Sequence, residues 1–175
     1  MSISINKEQE AADLIESTVG NEIRNSGEVT VRQLKQMITW TYRNNVRRKR
    51  YLEQIERIDE RALKYITKMV FKMSEELDLY KVKLLCCLEG IGPVMASVML
   101  RFYDPRRYCV FGFRVWRQLL QDEKNNNRPE NYVRLLKEIR KKTIETEENV
   151  RNIEVTLCKV DEESSKHARG QLTLL

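Results

Sequence analysis

The sequence predicts an all-α fold, a single helical domain of about eight helices. Three observations carry this. Apolar residues recur at three- and four-residue spacing along most of the chain, which is helical periodicity. No stretch longer than three residues alternates convincingly with period two. Breakers are few, with six glycines and three prolines in 175 residues, while a third of the chain is charged. That balance favours helices over sheets.

The elements follow in order. A first helix is predicted over 7–24, capped by Ser4 or Asn6 and stopped by Asn25-Ser26-Gly27. Thr30 is the expected N-cap of a second helix, with Val31, Leu34, Met37, Ile38 and Tyr42 on one face. A long helix is predicted over 51–77. Its apolar stripe is Ile55, Ile58, Ala62, Ile66, Met69 and Met73. "DLYKVKLLCCL" predicts a shorter helix ending at Gly90, and 93–102 another, closed by Tyr103-Asp104-Pro105. "YCVFGF" is the one strand-like piece and is too short for a sheet. Residues 112–121 predict a helix, and "DEKNNN" at 122–127 a polar loop. Pro129 suits the first turn of the next helix, with Tyr132, Leu135, Leu136 and Ile139 facing inward. A last helix carries Val150, Ile153, Leu157 and Val160. After Glu163 the chain turns polar, so the domain is placed at 1–163, with a fraying polar tail at 164–175.

Composition narrows the function classes. The formal charge is +6 and the pI near 9.2, compatible with nucleic acid or an acidic surface. The N-terminus lacks the basic and apolar regions of a signal peptide. The apolar runs are too short to span a bilayer. The expected location is the cytoplasm, nucleoid or nucleus, with no secretion and no membrane partner. Cys86, Cys87, Cys109 and Cys158 lack zinc or redox spacing and read as reduced, mostly buried thiols. The single histidine, His167, lies in the polar tail, which argues against histidine-based catalysis or metal binding.

Gly90-Ile91-Gly92-Pro93 is the most informative stretch. Glycine inside a helix costs about 1 kcal/mol relative to alanine. Two glycines and a proline therefore end one helix and start another across a tight turn. The second helix opens with unpaired N–H groups at the positive end of its dipole, which favours an anion. A phosphate is expected to meet the amides of Gly90, Gly92 and Val94. The plainer reading is a helix–helix corner with Gly90 as C-cap residue.

"LLCCLEGIGPVMASVML" resembles the helix-hairpin-helix of the base-excision DNA glycosylase superfamily, the endonuclease-III-like fold. The likeness continues through "LRFYDPRRYCVFGFRVWRQL", which has that superfamily's order of proline turn, valine and tryptophan-bearing helix. It is strongest over 84–119, with the hairpin motif at 79–102, and extends more loosely over about 30–163. "ITWTYR" and "NIEVTLCKVDEES" resemble elements of a divergent branch.

The resemblance implies an aspartate in the turn after the hairpin, and Gly112 stands there. It implies, for bifunctional members, a lysine where this chain has Val94. Neither replacement can do the chemistry, because glycine has no charge and valine no lone pair. Glu89, Asp104 and Asp122 are the weak substitutes, and Asp104, just before Pro105, reads first as a turn residue. The resemblance also implies a possible monovalent cation on the backbone carbonyls of Cys86, Leu88 and Ile91. An iron–sulfur cluster would need four closely spaced cysteines near the C-terminus, where only Cys158 stands. No other cofactor is expected.

Two basic clusters fit phosphate contact. "RNNVRRKR" at 43–50 supplies Arg47, Arg48, Lys49 and Arg50 besides Arg43. Arg101, Arg106, Arg107, Arg114 and Arg117 follow the hairpin, and Gly90, Ile91, Gly92 and Val94 complete the expected DNA-binding set. The first cluster reads equally as a solvated helix face. Trp116, between Arg114 and Arg117, reads as core before stacking platform. "KEIRKK" at 137–142 reads as exposed. Three functions remain open from the residues. The first is sequence-independent binding of double-stranded or damaged DNA without glycosylase or lyase chemistry. The second is an active monofunctional glycosylase using a displaced carboxylate. The third is a helical protein-interaction module.

Overall fold

The computed structural model describes residues 2–42, 44–121 and 126–172, with side chains from 10 to 164 within those ranges. Arg43, Asp122 and the side chain of His167 lie outside the described residues. The described residues form nine α-helices, one short 3-10 turn and no strand. "YCVFGF" is irregular chain leading into a helix. Among the described residues no helix is long and apolar enough to cross a membrane.

Helix α1 runs Ser2–Ser26 and α2 runs Val31–Thr41. The first starts before the predicted caps, whose side chains lie outside the described residues. Thr30 caps the second as predicted. Its hydroxyl accepts from the Gln33 amide at 3.2 Å, and the Gln33 side chain accepts from the Thr30 amide at 2.9 Å. This reciprocal box satisfies two otherwise orphaned donors.

The predicted helix over 51–77 is two helices, α3 (Asn45–Ile55) and α4 (Glu60–Lys72), and this raises the helix number above eight. The reason is capping. Asn44 accepts from the amides of Val46 and Arg47 at 2.9 and 3.2 Å, starting α3 early. Asp59 accepts from the amides of Arg61 and Ala62 at 2.7 and 2.9 Å and starts α4 afresh. The restart rotates the buried face. Leu63, Thr67, Val70 and Phe71 point inward, while Ala62 is exposed and Met69 is 40% exposed. The predicted stripe holds only at Ile55 and Ile58, with Ile66 and Met73 packed at its margin.

After the turn Glu75–Leu77 come α5 (Asp78–Leu85), α6 (Pro93–Tyr103) and α7 (Phe113–Leu120). Then follow α8 (Pro129–Thr146), with Pro129 in its first turn, and α9 (Val150–Leu172). The backbone of α9 continues helically through the predicted fraying tail as far as Leu172. Its inner face holds Val150, Ile153, Glu154 and Asp161, whereas Val160 is 44% exposed.

Helix α6 is the centre of the core, packed on α1, α2, α5 and α8. Met95 to Phe102 are all buried, as expected of a helix apolar on every side. Trp116, Tyr132 and Phe102 are the largest fully buried side chains, so Trp116 is core.

Arg101 sits inside that apolar helix at 2% exposure. It is neutralised by Glu16 of α1 at 2.5 Å and Glu154 of α9 at 2.9 Å. A buried charge survives only when paired in this way. A second buried network fastens α5 to the 104–108 loop and α8. Lys81 donates to the Tyr108 hydroxyl at 2.6 Å, which donates to Asp78 at 3.0 Å. Arg140 donates to the other oxygen of Asp78 at 2.6 Å. Arg140 is thus a clasp rather than an exposed member of "KEIRKK".

Candidate nucleic-acid interface

The connection between α5 and α6 spans 86–92. The amides of Cys87 and Leu88 continue α5 as a 3-10 turn, donating to Leu84 and Leu85 at 3.1 Å each. The Ile91 amide donates back to the Leu88 carbonyl at 3.1 Å. Ile91 itself is buried, so it anchors the turn from beneath. It therefore leaves the set of expected phosphate contacts, because its amide is already used.

Gly90 has φ +77, a region that L side chains resist. A Cβ there would stand 3.1 Å from the Cβ of Gln54 and 3.4 Å from that residue's backbone. Glycine is thus required twice over, and its absence of side chain seats the last turn of α3 directly on the α5–α6 corner.

Gly92 is exposed, and a Cβ there would meet nothing within 4 Å. It is the N-cap residue of α6 without a side-chain cap, and Pro93 follows at N1. Among the described residues no protein acceptor meets the amides of Gly90, Gly92 or Val94. The start of α6 therefore faces outward with its donors uncommitted.

Beside it lies a cavity of about 600 Å³. One wall is α3, through Arg47, Arg50, Tyr51 and Gln54. Tyr42, at the end of α2, stacks on Tyr51 with ring centroids 4.3 Å apart and planes 9° apart. The facing wall is Val94, Phe111 and Phe113, and Asn127 also borders the space. A smaller hollow of about 380 Å³ shares Arg50 and Gln54 and adds Arg57, Glu53, Glu89 and Gly90.

The facing wall is held by the core. The Phe111 amide donates to Ser97 Oγ at 2.8 Å, the Val110 amide to Glu154 at 3.1 Å, and the Tyr132 hydroxyl to the Cys109 carbonyl at 3.0 Å. Gly112, the N-cap residue of α7, lies between two wall residues, and its amide is turned onto the Val110 carbonyl at 2.8 Å.

The electrostatics of the cavity are one-sided. Among the described residues, no carboxylate lines it. Arg47, Arg50 and Arg57 make no ion pair among the described residues. Burial, and then the Tyr51 hydroxyl, pushes the Tyr42 phenol well above its usual value, so the ring stays neutral. The walls are cations and uncharged rings.

The expected substitutes for a catalytic acid lie elsewhere. Asp104 accepts from the Arg106 amide at 3.1 Å and pairs with Arg107 at 3.4 Å, as a turn residue does. Glu89 is exposed in the smaller hollow, facing Arg50 and Arg57.

The two basic clusters separate. In the cluster after Gly92, Arg101 is buried and cannot reach a phosphate in solvent. Arg107 pairs with Glu75 at 2.7 Å, Arg114 with Glu162, and Arg117 with Asp161 at 2.6 Å. Only Arg106 of that group is exposed without an ion pair among the described residues. Burial raises the Asp161 carboxyl's pKa, but the Arg117 and Gln118 hydrogen bonds outweigh it and hold it below the usual carboxylate value.

In α3, Arg48 is held by Asn45 and Lys49 pairs with Glu53 at 3.9 Å, whereas Arg47 and Arg50 stay open toward the cavity. Sequence reasoning counted these cations but missed Tyr51, Gln54 and Phe113 as their companions. The signal was present: Arg47, Arg50, Tyr51 and Gln54 are spaced i, i+3, i+4 and i+7, one face of a helix.

Backbone carbonyls are neutral hard donors suited to a monovalent cation. Of the three expected ligands, the Leu88 carbonyl already accepts the Ile91 amide and keeps one lone pair. Among the described residues no group of three histidine, cysteine or acidic side chains could hold a metal ion.

Comparison of the chain with protein-family models, with characterised proteins and with solved structures finds no match. The site must therefore be read from its own chemistry.

Proposed function

We propose that this chain binds the sugar–phosphate backbone of DNA, without reading base sequence and without glycosylase or lyase chemistry at the cavity beside Gly112. The observation that carries the reading is a cavity lined by Val94, Arg47 and Arg50, beside the α6 start where the amides of Gly92 and Val94 are uncommitted; among the described residues the two arginines make no ion pair and no carboxylate lines the cavity. Amides at a helix start and open arginines both attract phosphate. The net charge of +6 adds a long-range attraction of the same sign. The resemblance of 84–119 to the helix-hairpin-helix glycosylase superfamily supports the same ligand. Gly112 and Val94 leave that superfamily's acid and amine unreplaced.

The test is fluorescence anisotropy with a labelled duplex over a series of salt concentrations. The native protein is expected to weaken linearly on a log–log plot. Arg47→Glu/Arg50→Glu is expected to lower affinity at least about tenfold and to flatten the slope by about two. Gly92→Asp, which puts a carboxylate among the free amides, is expected to weaken binding where Gly92→Ala does not. Binding that ignores salt, or that survives all three substitutions unchanged, would overturn the proposal.

A further inference from the structure

We infer that the cavity between α3 and the Phe111–Phe113 wall takes an unpaired nucleotide of a single strand, so that the preferred ligand is single-stranded rather than continuous duplex nucleic acid. The inference rests on reading this face as a nucleic-acid site and specifies which form of nucleic acid it takes.

Open arginines alone suit any polyanion. The rings distinguish among polyanions. Tyr42 and Tyr51 lie parallel, 4.3 Å apart, and both line the cavity. Phe113 is 49% exposed and lines the opposite side, with the Arg117 guanidinium 5.3 Å from its ring centroid. In a duplex, base faces are consumed by stacking on one another and only base edges reach the grooves. Ring platforms inside a cavity can therefore be used only by bases outside the stack. Aromatic faces beside a cationic track are the pattern of single-strand binding, because every base has a π-face.

Size agrees. About 600 Å³ falls within the roughly 300–1,000 Å³ that small planar ligands occupy, and is too small for a duplex. The amide side chains of Gln54 and Asn127 border the space and can meet base edges of any identity. Arg47 and Arg50 are one turn apart on α3, positioned for phosphates on either side of a base held in the cavity.

A free nucleotide and a strand share this chemistry, so the experiment separates them. Anisotropy is measured with labelled oligothymidylate, a duplex of equal length, and an oligomer of equal charge whose sugars carry no bases. Adenosine monophosphate serves as competitor. Oligothymidylate is expected to bind at least about fivefold tighter than the duplex and the base-free oligomer at the same salt, the scale of one base stacked on a ring. Phe113→Ala is expected to weaken oligothymidylate binding more than duplex binding, bringing the ratio of the two affinities to about one. The substitution is on an exposed side chain, and Tyr51→Ala, which removes the stacked pair, is the second probe of the same preference.

Equal or tighter binding of duplex overturns the inference but leaves the phosphate-binding reading intact. So does indifference of oligothymidylate affinity to both ring substitutions. Competition by the mononucleotide at lower concentration than the oligomer assigns the cavity to a free nucleotide and also overturns it. Failure of every nucleic acid to bind overturns this inference and the proposed function together.

Discussion

Replacing Gly90 by alanine tests how α3 is attached to the α5–α6 corner. Two penalties arise at this residue. Its φ of +77 costs an L residue about 1–2 kcal/mol. The new Cβ would sit 3.1 Å from Gln54 Cβ and 3.4 Å from Gln54 backbone. Carbon contacts are most favourable at about 3.5–4.0 Å, so α3 or the turn must shift, at about 1 kcal/mol for a tight overpacked site. The total is about 2–3 kcal/mol.

Two other glycines calibrate this figure. Gly27 has φ +71 but open space where a Cβ would go, so Gly27→Ala carries only the conformational penalty, about 1 kcal/mol. Gly92 has a negative φ and open space, and Gly92→Ala loses only a modest N-cap preference, under about 1 kcal/mol. Urea unfolding followed by circular dichroism reads the three. With a slope of about 2 kcal/mol per molar, Gly90→Ala should lower the midpoint by about 1–1.5 M. Gly27→Ala should lower it by no more than half that. If Gly90→Ala and Gly27→Ala unfold at the same midpoint, Gln54 does not rest on Gly90. The placement of Arg50 and Arg57 beside the α5–α6 turn would then be wrong.

Three further outcomes follow from the buried groups and caps. Asp59→Ala should destabilise by about 1 kcal/mol, because the amides of Arg61 and Ala62 lose their acceptor; a neutral result in urea melts would mean that α3 and α4 are one continuous helix. Burial, against the pull of Arg101, pushes the Glu154 carboxyl above its usual value. The folded state then holds a proton that the unfolded state has released, and native stability relative to Glu154→Gln should fall as pH rises above about 4.5. A native advantage that grows with pH over the range 4 to 7 would show that the Arg101 pair outweighs burial. Among the thiols, Cys87 should react first with a disulfide reagent at neutral pH because it is exposed. Burial pushes Cys86 and Cys158 up to about 11, and Cys109 is fully enclosed, so rapid native-state labelling of Cys109 would contradict the packing of α6, α8 and the 109–112 chain.

The all-helical class, the Thr30 cap, the turn at Gly90–Gly92 and the inner face of α8 were legible because each depends on residues within a few positions of one another. The break between α3 and α4 was also local, since Asp59 precedes the amides it caps. The continuous apolar spacing from Ile55 to Met73 concealed it. At the candidate site, counting cations located Arg47 and Arg50 but also admitted Arg101, Arg107, Arg114 and Arg117. Charge along a chain does not disclose its partner. Glu16 and Glu154 are 85 and 53 residues from Arg101, and Asp161 is 44 from Arg117. Only folding brings them together.

By itself, the sequence determined that the chain is helical and where two helices must turn sharply, because backbone propensity and periodicity are short-range properties. It also determined that neither glycine at 112 nor valine at 94 can supply an acid or an amine, since that is a matter of residue identity. Tertiary structure alone decided which arginines stay open. A guanidinium is neutralised or left for a ligand according to what packs within a few ångströms of it, and α1 and α9 supply carboxylates to Arg101 and Arg117 while none among the described residues lines the cavity beside α3.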